Sequence, residues 1–457
     1  MQPNNDKTPQ EEIYSPVFMQ TDNTPSAPSR PTLVRTLGQW DLTSIGVNQV
    51  IGAGIFVLPA SVALLVGQAS SPLVWIVAAA VNVLIILCFA EAGSQFRDAG
   101  GPYLYAKAAF GPIVGFEVAW MMFLTRVTSQ AALANGFTLY LGYFWSGATE
   151  GAGRALVLAV LIGLLAAINY RGVRQGSRTI NFFTLGKLIP LSGFVLVGFW
   201  YIDWSHFSGI LQPKMSGFGQ ATLLLMYAYS GYELIPIPAG EAKAPARGVP
   251  RALIATIGIC TVFYLLIQVI SVGTLDNLAG SEAPLADAAA AFFGPATGIL
   301  IAIGGLLSIG GSNAGTMLAA PRLLFALSEK GQLPRFFGRL HERFRTPHVA
   351  ILVYSAISLV LALTGSFIQM AAISAVARLM FYTTTCAAVP ILRRKESEKD
   401  VFRLPGGSFI PVLAMVASLA VIAGADWNSL GAGVIALAIG LVFYFFQKKT
   451  SSSARSY

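Results

Sequence analysis

Val50-Ile51-Gly52-Ala53-Gly54-Ile55-Phe56 lies near the middle of the first long apolar segment of this 457-residue chain. Glycine is the poorest ordinary helix former, and inside a bilayer no water satisfies the backbone groups that a broken helix frees. An interruption there is tolerated where it lines a cavity, so that the freed amides and carbonyls can hold a ligand. Small residues that merely let two helices pack closely are the competing explanation. The rest of the chain bears on that choice.

The composition is 55% hydrophobic and 11% charged, with a mean hydropathy of +0.65. Soluble domains carry about twice that share of charge. Continuous apolar runs long enough to span a bilayer recur from end to end, a pattern of membrane helices and not of the short alternating strands of a membrane barrel. The fold class expected is all-α and polytopic. Apolar length places about twelve spans at 40–66, 72–96, 113–144, 154–170, 177–202, 218–242, 250–273, 295–328, 347–363, 367–392, 409–425 and 430–446. The eighth is long enough for its C-terminal end to leave the membrane. Residues 1–36 are polar and rich in Pro, Ser, Thr and Asn, the composition of a disordered tail. They lack the basic run and short apolar core of a signal peptide.

Basic residues test this map independently. With the N-terminus in the cytoplasm, 25 of the 30 Lys and Arg fall in the tails and alternate loops on that side. Arg154 and Lys214 fall opposite, and Arg126, Lys187 and Arg378 lie inside spans. That asymmetry puts both termini in the cytoplasm, in what is expected to be the plasma (inner) membrane. It also accounts for the net charge of +9 as topology, without nucleic acid. Cys88, Cys260 and Cys386 sit far apart in apolar segments, and His206, His341 and His348 are dispersed, so no metal site or disulfide framework is expected. No catalytic spacing and no phosphate-binding G-x-x-x-x-G-K-[ST] motif occurs, so neither an enzyme nor a nucleotide-driven pump is expected.

The sixth apolar segment carries a second damaged stretch, Tyr229-Ser230-Gly231-Tyr232-Glu233-Leu234-Ile235-Pro236-Ile237-Pro238. Set beneath the first, it aligns Gly52 with Gly231, Pro59 with Pro238 and Ala60 with Ala239. Breaks at corresponding positions of two five-helix halves point to a midplane binding site, which packing alone does not explain. The halves expected are 37–202 and 203–392, with accessory helices at 393–447 and a cytoplasmic tail at 448–457.

Four motifs carry a family resemblance. Gly52-Ala53-Gly54-Ile55-Phe56-Val57-Leu58-Pro59 resembles the first-helix signature of the amino acid–polyamine–organocation transporters. Phe89-Ala90-Glu91-Ala92-Gly93 with Ala99-Gly100-Gly101-Pro102-Tyr103-Leu104-Tyr105, then Ala109-Phe110-Gly111-Pro112, resembles their connection from the second to the third helix. Glu241-Ala242-Lys243-Ala244-Pro245 with Pro250-Arg251-Ala252 resembles the stretch after helix six. The resemblance implies a five-plus-five inverted repeat with broken helices 1 and 6, and alternating-access transport of amino acids or related amines. It places the substrate carboxylate on the amides of Ala53, Gly54 and Ile55, and an N-terminal helix end favours an anion physically as well. The substrate ammonium would meet carbonyls of Val50, Tyr227 and Ser230, with Ile51, Gly52, Gly231, Tyr232 and Glu233 completing the two breaks. Side-chain selectivity is expected from Tyr227, Tyr232, Thr316 and residues of the third and tenth spans.

Glu117, Arg126, Lys187, Glu233 and Arg378 lie well inside spans, where a charge demands a function or a partner. Lys187 resembles a lysine that some family members place where sodium-coupled relatives bind an ion between helices one and eight. There it would touch a helix-one carbonyl and Ser308 or Ser312, and its proton would be the coupling ion; a permanently charged strut is the alternative. Glu233 either carries a coupling proton or tethers the unwound segment by accepting backbone N–H bonds. Arg126 and Arg378 stay charged in any environment. They neutralise Glu233 or Glu117, or one faces the substrate, in which case an acidic substrate follows. Tyr103, Tyr105, Glu91 and Arg97 are assigned to the cytoplasmic gate or to helix packing. The function expected is secondary transport, with protons, of neutral L-amino acids across the lipid bilayer. The alternatives are an amino acid or amine exchanger and, in a different class, a receptor that senses amino acids without moving them.

Overall fold

A computed structural model describes residues 37–96, 100–172, 176–237, 242–395 and 401–453. The expected tail at 1–36, Arg97, Pro238, Ala239 and Glu241 fall outside the described residues. Among those described, the chain forms fifteen α-helices: α1 (Gln39–Val50), α2 (Ala53–Val66), α3 (Ser71–Ser94), α4 (Pro102–Phe110), α5 (Pro112–Gly142), α6 (Gly151–Arg171), α7 (Gly176–Gly198), α8 (Met215–Ala228), α9 (Pro245–Thr274), α10 (Pro284–Phe293), α11 (Pro295–Glu329), α12 (His348–Thr364), α13 (Phe367–Lys395), α14 (Phe409–Ala423) and α15 (Trp427–Ser453).

This is an integral membrane protein. Six of the described helices are individually long and apolar enough to cross a bilayer, and the pair α1 and α2, bent by 47°, makes a seventh span. The other expected spans fall on α5, which carries Glu117 and Arg126, on α7, and on the shorter helices α8, α12 and α14. At 1.5 Å per residue the 35-residue α11 is about 50 Å long, more than the hydrocarbon thickness. Large apolar side chains on α6, α14 and α15, such as Leu156, Val416 and Val442, are exposed where lipid would cover them. The sequence differs most from the structure in the sixth span. It is only a 14-residue helix, α8, followed by a turn at Tyr229–Gly231 and a single 3-10 turn over Tyr232–Leu234.

Helices at corresponding places in the two halves pack against each other. α2 meets α8, α3 meets α9, α5 meets α11 and α6 meets α12. A two-fold axis through the bundle centre produces such pairing. The short helices α4 and α10, which apolar length does not announce, correspond in another way: α4 packs on α5 and α10 on α11. Each ends in Phe-Gly-Pro: Phe110-Gly111-Pro112 leads into α5, and Phe293-Gly294-Pro295 leads into α11. The two glycines adopt nearly the same left-handed conformation, φ 93° and φ 87°, which a β-carbon would strain. One turn later, Gly115 lets Lys107 of α4 approach and Gly298 lets Ala290 of α10 approach. A β-carbon on Gly115 would lie 2.7 Å from that of Lys107, and one on Gly298 would lie 2.9 Å from that of Ala290.

Gly115→Val and Gly298→Val should therefore each cost about 1–3 kcal/mol by overpacking. A lowered Tm of the detergent-solubilised protein checks this. Gly163→Val, where an added β-carbon meets nothing within 4 Å, should stay within about 0.5 kcal/mol of the parent.

Candidate functional site

The first span stops at Val50 and resumes at Ala53 because Ile51 turns extended, with φ −72° and ψ 90°, and Gly52 follows it. Resumption leaves the first amides of α2 without carbonyls one turn earlier. Among the described residues, no hydrogen bond engages the N–H groups of Ala53, Gly54 or Ile55. In the sixth span Gly231 adopts φ 120°, a conformation that ends α8 without a side chain.

The breaks touch reciprocally. A β-carbon on Gly54 would lie 2.8 Å from the Cα of Ala228, just before the break of the sixth span. A β-carbon on Gly231 would lie 2.7 Å from the carbonyl oxygen of Gln49, just before the break of the first. Between them sits a cavity of about 50 Å³. Its walls are Gln49, Val50, Gly52, Ala53 and Gly54 from the first span and Tyr227, Ala228, Ser230 and Gly231 from the sixth. Arg126, Ser129 and Leu133 of α5, Ser312 and Thr316 of α11 and Arg378 of α13 complete it. Ile51, Ile55, Tyr232 and Glu233 do not line it. Tyr232 is fully buried on the other side, its ring 5.7 Å from Phe89 and 5.3 Å from Tyr382. It belongs to an aromatic cluster and not to the cavity wall.

Neighbouring helices hold the carbonyl ends. Lys187 of α7 is 3% exposed and donates to the carbonyls of Asn48 at 2.5 Å and Ile51 at 2.7 Å. The amine thus sits at the negative end of α1. The contact expected with Ser308 or Ser312 is replaced by the second carbonyl, and Ser308 Oγ is buried with no partner among the described residues. Tyr264 of α9, which the sequence did not single out, joins both breaks: its hydroxyl donates to the Val50 carbonyl at 2.8 Å and lies 3.2 Å from that of Ala228. The Tyr227 carbonyl accepts the hydroxyl of Ser230 at 2.6 Å.

Glu233 is 1% exposed and tethers the unwound segment. Its Oε2 accepts the Gly231 amide at 2.7 Å and the hydroxyl of Tyr382, another residue the sequence did not mark, at 2.8 Å. Its Oε1 lies 3.3 Å from Arg378 Nε and 3.4 Å from Arg126 Nη2. Both arginines therefore pair with Glu233 and also face the cavity, so the two roles considered for them coexist. Glu117 takes no part: its carboxylate is buried beside Gly440 of α15, with no hydrogen-bond partner among the described residues.

The cavity is closed unequally. Toward one end, Tyr227 meets the Phe367 ring edge-on at 5.9 Å, and Phe367 lines a vestibule of about 630 Å³ with Asn135, Arg154 and Glu282. Toward the other end lie the rings of Phe89, Tyr232 and Tyr382. Beyond them, Glu91, fully buried, takes a two-pronged ion pair from Arg393 at 2.5 and 2.6 Å and the Leu404 amide at 2.9 Å. Tyr103 accepts from Gln332 at 3.2 Å at the same end.

Comparison with known proteins agrees with this architecture. Residues 37–455 match the model of a family described as amino acid permease. The serine/threonine exchanger SteT of Bacillus subtilis (strain 168) is 29% identical over 436 residues, 92% of this chain and 98% of that protein. The methylthioribose transporter of the same organism is 28% identical over 92% of this chain and 95% of its own. Its branched-chain amino acid permease BcaP is 26% identical over 92% and 94%.

Removing one partner of a buried ion pair costs about 3–5 kcal/mol. Glu233→Ala should lower the stability of the solubilised protein by that order. Glu233→Gln, which retains an acceptor for Gly231 and Tyr382, should lose less, as denaturant unfolding would measure.

Proposed function

The chain belongs to the amino acid permease family, and we propose that it is a secondary transporter that moves amino acids across the plasma membrane by alternating access. The observation that carries this reading is the pairing of unengaged amides at Ala53 and Gly54 with carbonyl ends at Val50 and Tyr227 across one small cavity, the unengaged amide of Ile55 following just outside its lining. An α-carboxylate suits the first and an α-ammonium the second. The halves 37–202 and 203–392 rock about this site, with 393–447 accessory. Both termini are cytoplasmic, so the vestibule beside Phe367 opens outward and the Glu91–Arg393 pair closes the inner end.

Protons drive the cycle through Lys187. Its ammonium stands where a bound cation would, locking the carbonyls of Asn48 and Ile51. Loss of the proton releases that lock and frees the first span to move. Exchange of one amino acid for another is the second reading, favoured by the likeness to a serine/threonine exchanger. A receptor that binds without moving its ligand is the reading that any measured transport removes.

Uptake of labelled amino acids into proteoliposomes separates these outcomes. With sodium replaced by choline, an inward proton gradient should drive accumulation, and strict sodium dependence would remove the role given to Lys187. Lys187→Ala should abolish accumulation driven by the gradient while the protein stays folded. If uptake requires amino acid inside the vesicles and ignores the gradient, the protein is an exchanger. A thermal-shift screen of the proteinogenic amino acids and common polyamines identifies ligands, because binding to the folded state stabilises it.

A further inference from the structure

The side chains around the cavity carry two guanidinium groups against one carboxylate. Arg378 is 2% exposed and is the more closely held of the two: Nε lies 3.3 Å from Glu233, and its terminal nitrogens reach the hydroxyls of Ser374 and Ser129 at 3.4 Å. Glu233 is in turn fully used, with Gly231 and Tyr382 on one oxygen and the arginines at the other. Arg126 is what remains. Its side chain is 12% exposed, and its one hydrogen bond is the 3.4 Å contact from Nη2 to Glu233. The other four N–H donors of its guanidinium have no acceptor among the described residues. The remaining walls are neutral, and Lys187 is turned to the carbonyls of Asn48 and Ile51 outside the lining.

A guanidinium does not shed its charge, and an uncompensated charge in a low-dielectric interior is costly. A zwitterion does not relieve it, because its carboxylate is balanced by its own ammonium. A second carboxylate on the substrate does, and the fork of Arg126 is shaped to receive one with two parallel hydrogen bonds. We propose that the substrate class is the acidic amino acids, with the side-chain carboxylate held by Arg126 of α5 and the charge of Arg378 reserved for Glu233. This deepens the amino acid reading and rests on it, and it replaces the neutral side chain expected from the sequence. Arg126 is then the residue that sets specificity.

The test uses the full chain, purified and reconstituted. L-aspartate, L-glutamate, L-serine, L-leucine and L-lysine are compared in thermal-shift titrations and as competitors of labelled aspartate or glutamate uptake. An acidic amino acid should bind more tightly than every neutral one by on the order of 10- to 100-fold, the worth of a charge-assisted contact. Arg126→Gln should reduce the ratio of acidic to neutral affinity by the same order. Arg126→Lys, which keeps the charge and loses the fork, should fall between. Preference for serine or leucine over both acidic amino acids in the parent protein would overturn the proposal and leave amino acid transport standing. Equal losses for acidic and neutral ligands in Arg126→Gln would overturn the role of Arg126. Failure of every amino acid, of any charge, to bind or move would overturn the transport reading itself. The parent-protein comparison decides the substrate class even if a variant fails to fold.

Discussion

Two backbones meet at the centre of this protein at the points where their helices stop. Gly54 lies against Ala228, and Gly231 lies against Gln49, each closer than a side chain would allow. The rest of the structure follows from that contact. Helices that approach so closely and end there leave amides on one side and carbonyls on the other, and neither break can satisfy them internally. Surrounding helices take over the task. Lys187 and Tyr264 secure carbonyl ends, and Glu233 secures the Gly231 amide. The amides at the start of α2 are left unengaged. Backbone amides and carbonyls of the two breaks therefore contribute to the polarity of the cavity. Arg126 and Arg378 add side-chain charge to that lining.

Burial of this many ionisable groups is expensive, and around the breaks and at the inner closure the protein arranges them against an opposite charge or a helix end. Lys187 occupies the C-terminal end of α1, where orphan carbonyls carry partial negative charge. Glu233 sits between two guanidiniums and accepts two further hydrogen bonds. Glu91 is matched by Arg393 and a backbone amide. Pairing of this kind adds little net stability over apolar packing, but breaking it is costly. Such groups specify which helix ends meet more than they strengthen the bundle.

How much of this was legible in the sequence depends on how unusual each residue was in its setting. Glycines, a lysine and a glutamate inside apolar runs are conspicuous, and Gly52, Gly54, Gly231, Lys187 and Glu233 all fall at or beside the two breaks. Tyr264 and Tyr382 are inconspicuous because a tyrosine is unremarkable in a membrane helix, and only the fold shows whether its hydroxyl turns to a break or to packing. Tyr232 misled for the converse reason: it adjoins Gly231 in sequence, but the 3-10 turn carries its ring to the opposite side. Gly52 and Gly231 mark the repeat in the sequence but align with few other identities. The stronger trace is Phe-Gly-Pro before α5 and α11, conspicuous once α4 and α10 are known to be helices. Charge pairing was the least legible of all. Spacing alone did not reveal that Arg126 and Arg378 share one carboxylate.

The unequal closures at the two ends have a kinetic meaning. A single edge-on ring contact, Tyr227 with Phe367, is worth about 0.5–1.5 kcal/mol beyond its buried area. Losing one member of a buried ion pair such as Glu91 with Arg393 costs about 3–5 kcal/mol, before the three rings above it are disturbed. A turnstile with one light leaf and one heavy leaf does not rest midway. Of the two, the contact of Tyr227 with Phe367 is the one that thermal motion opens more readily.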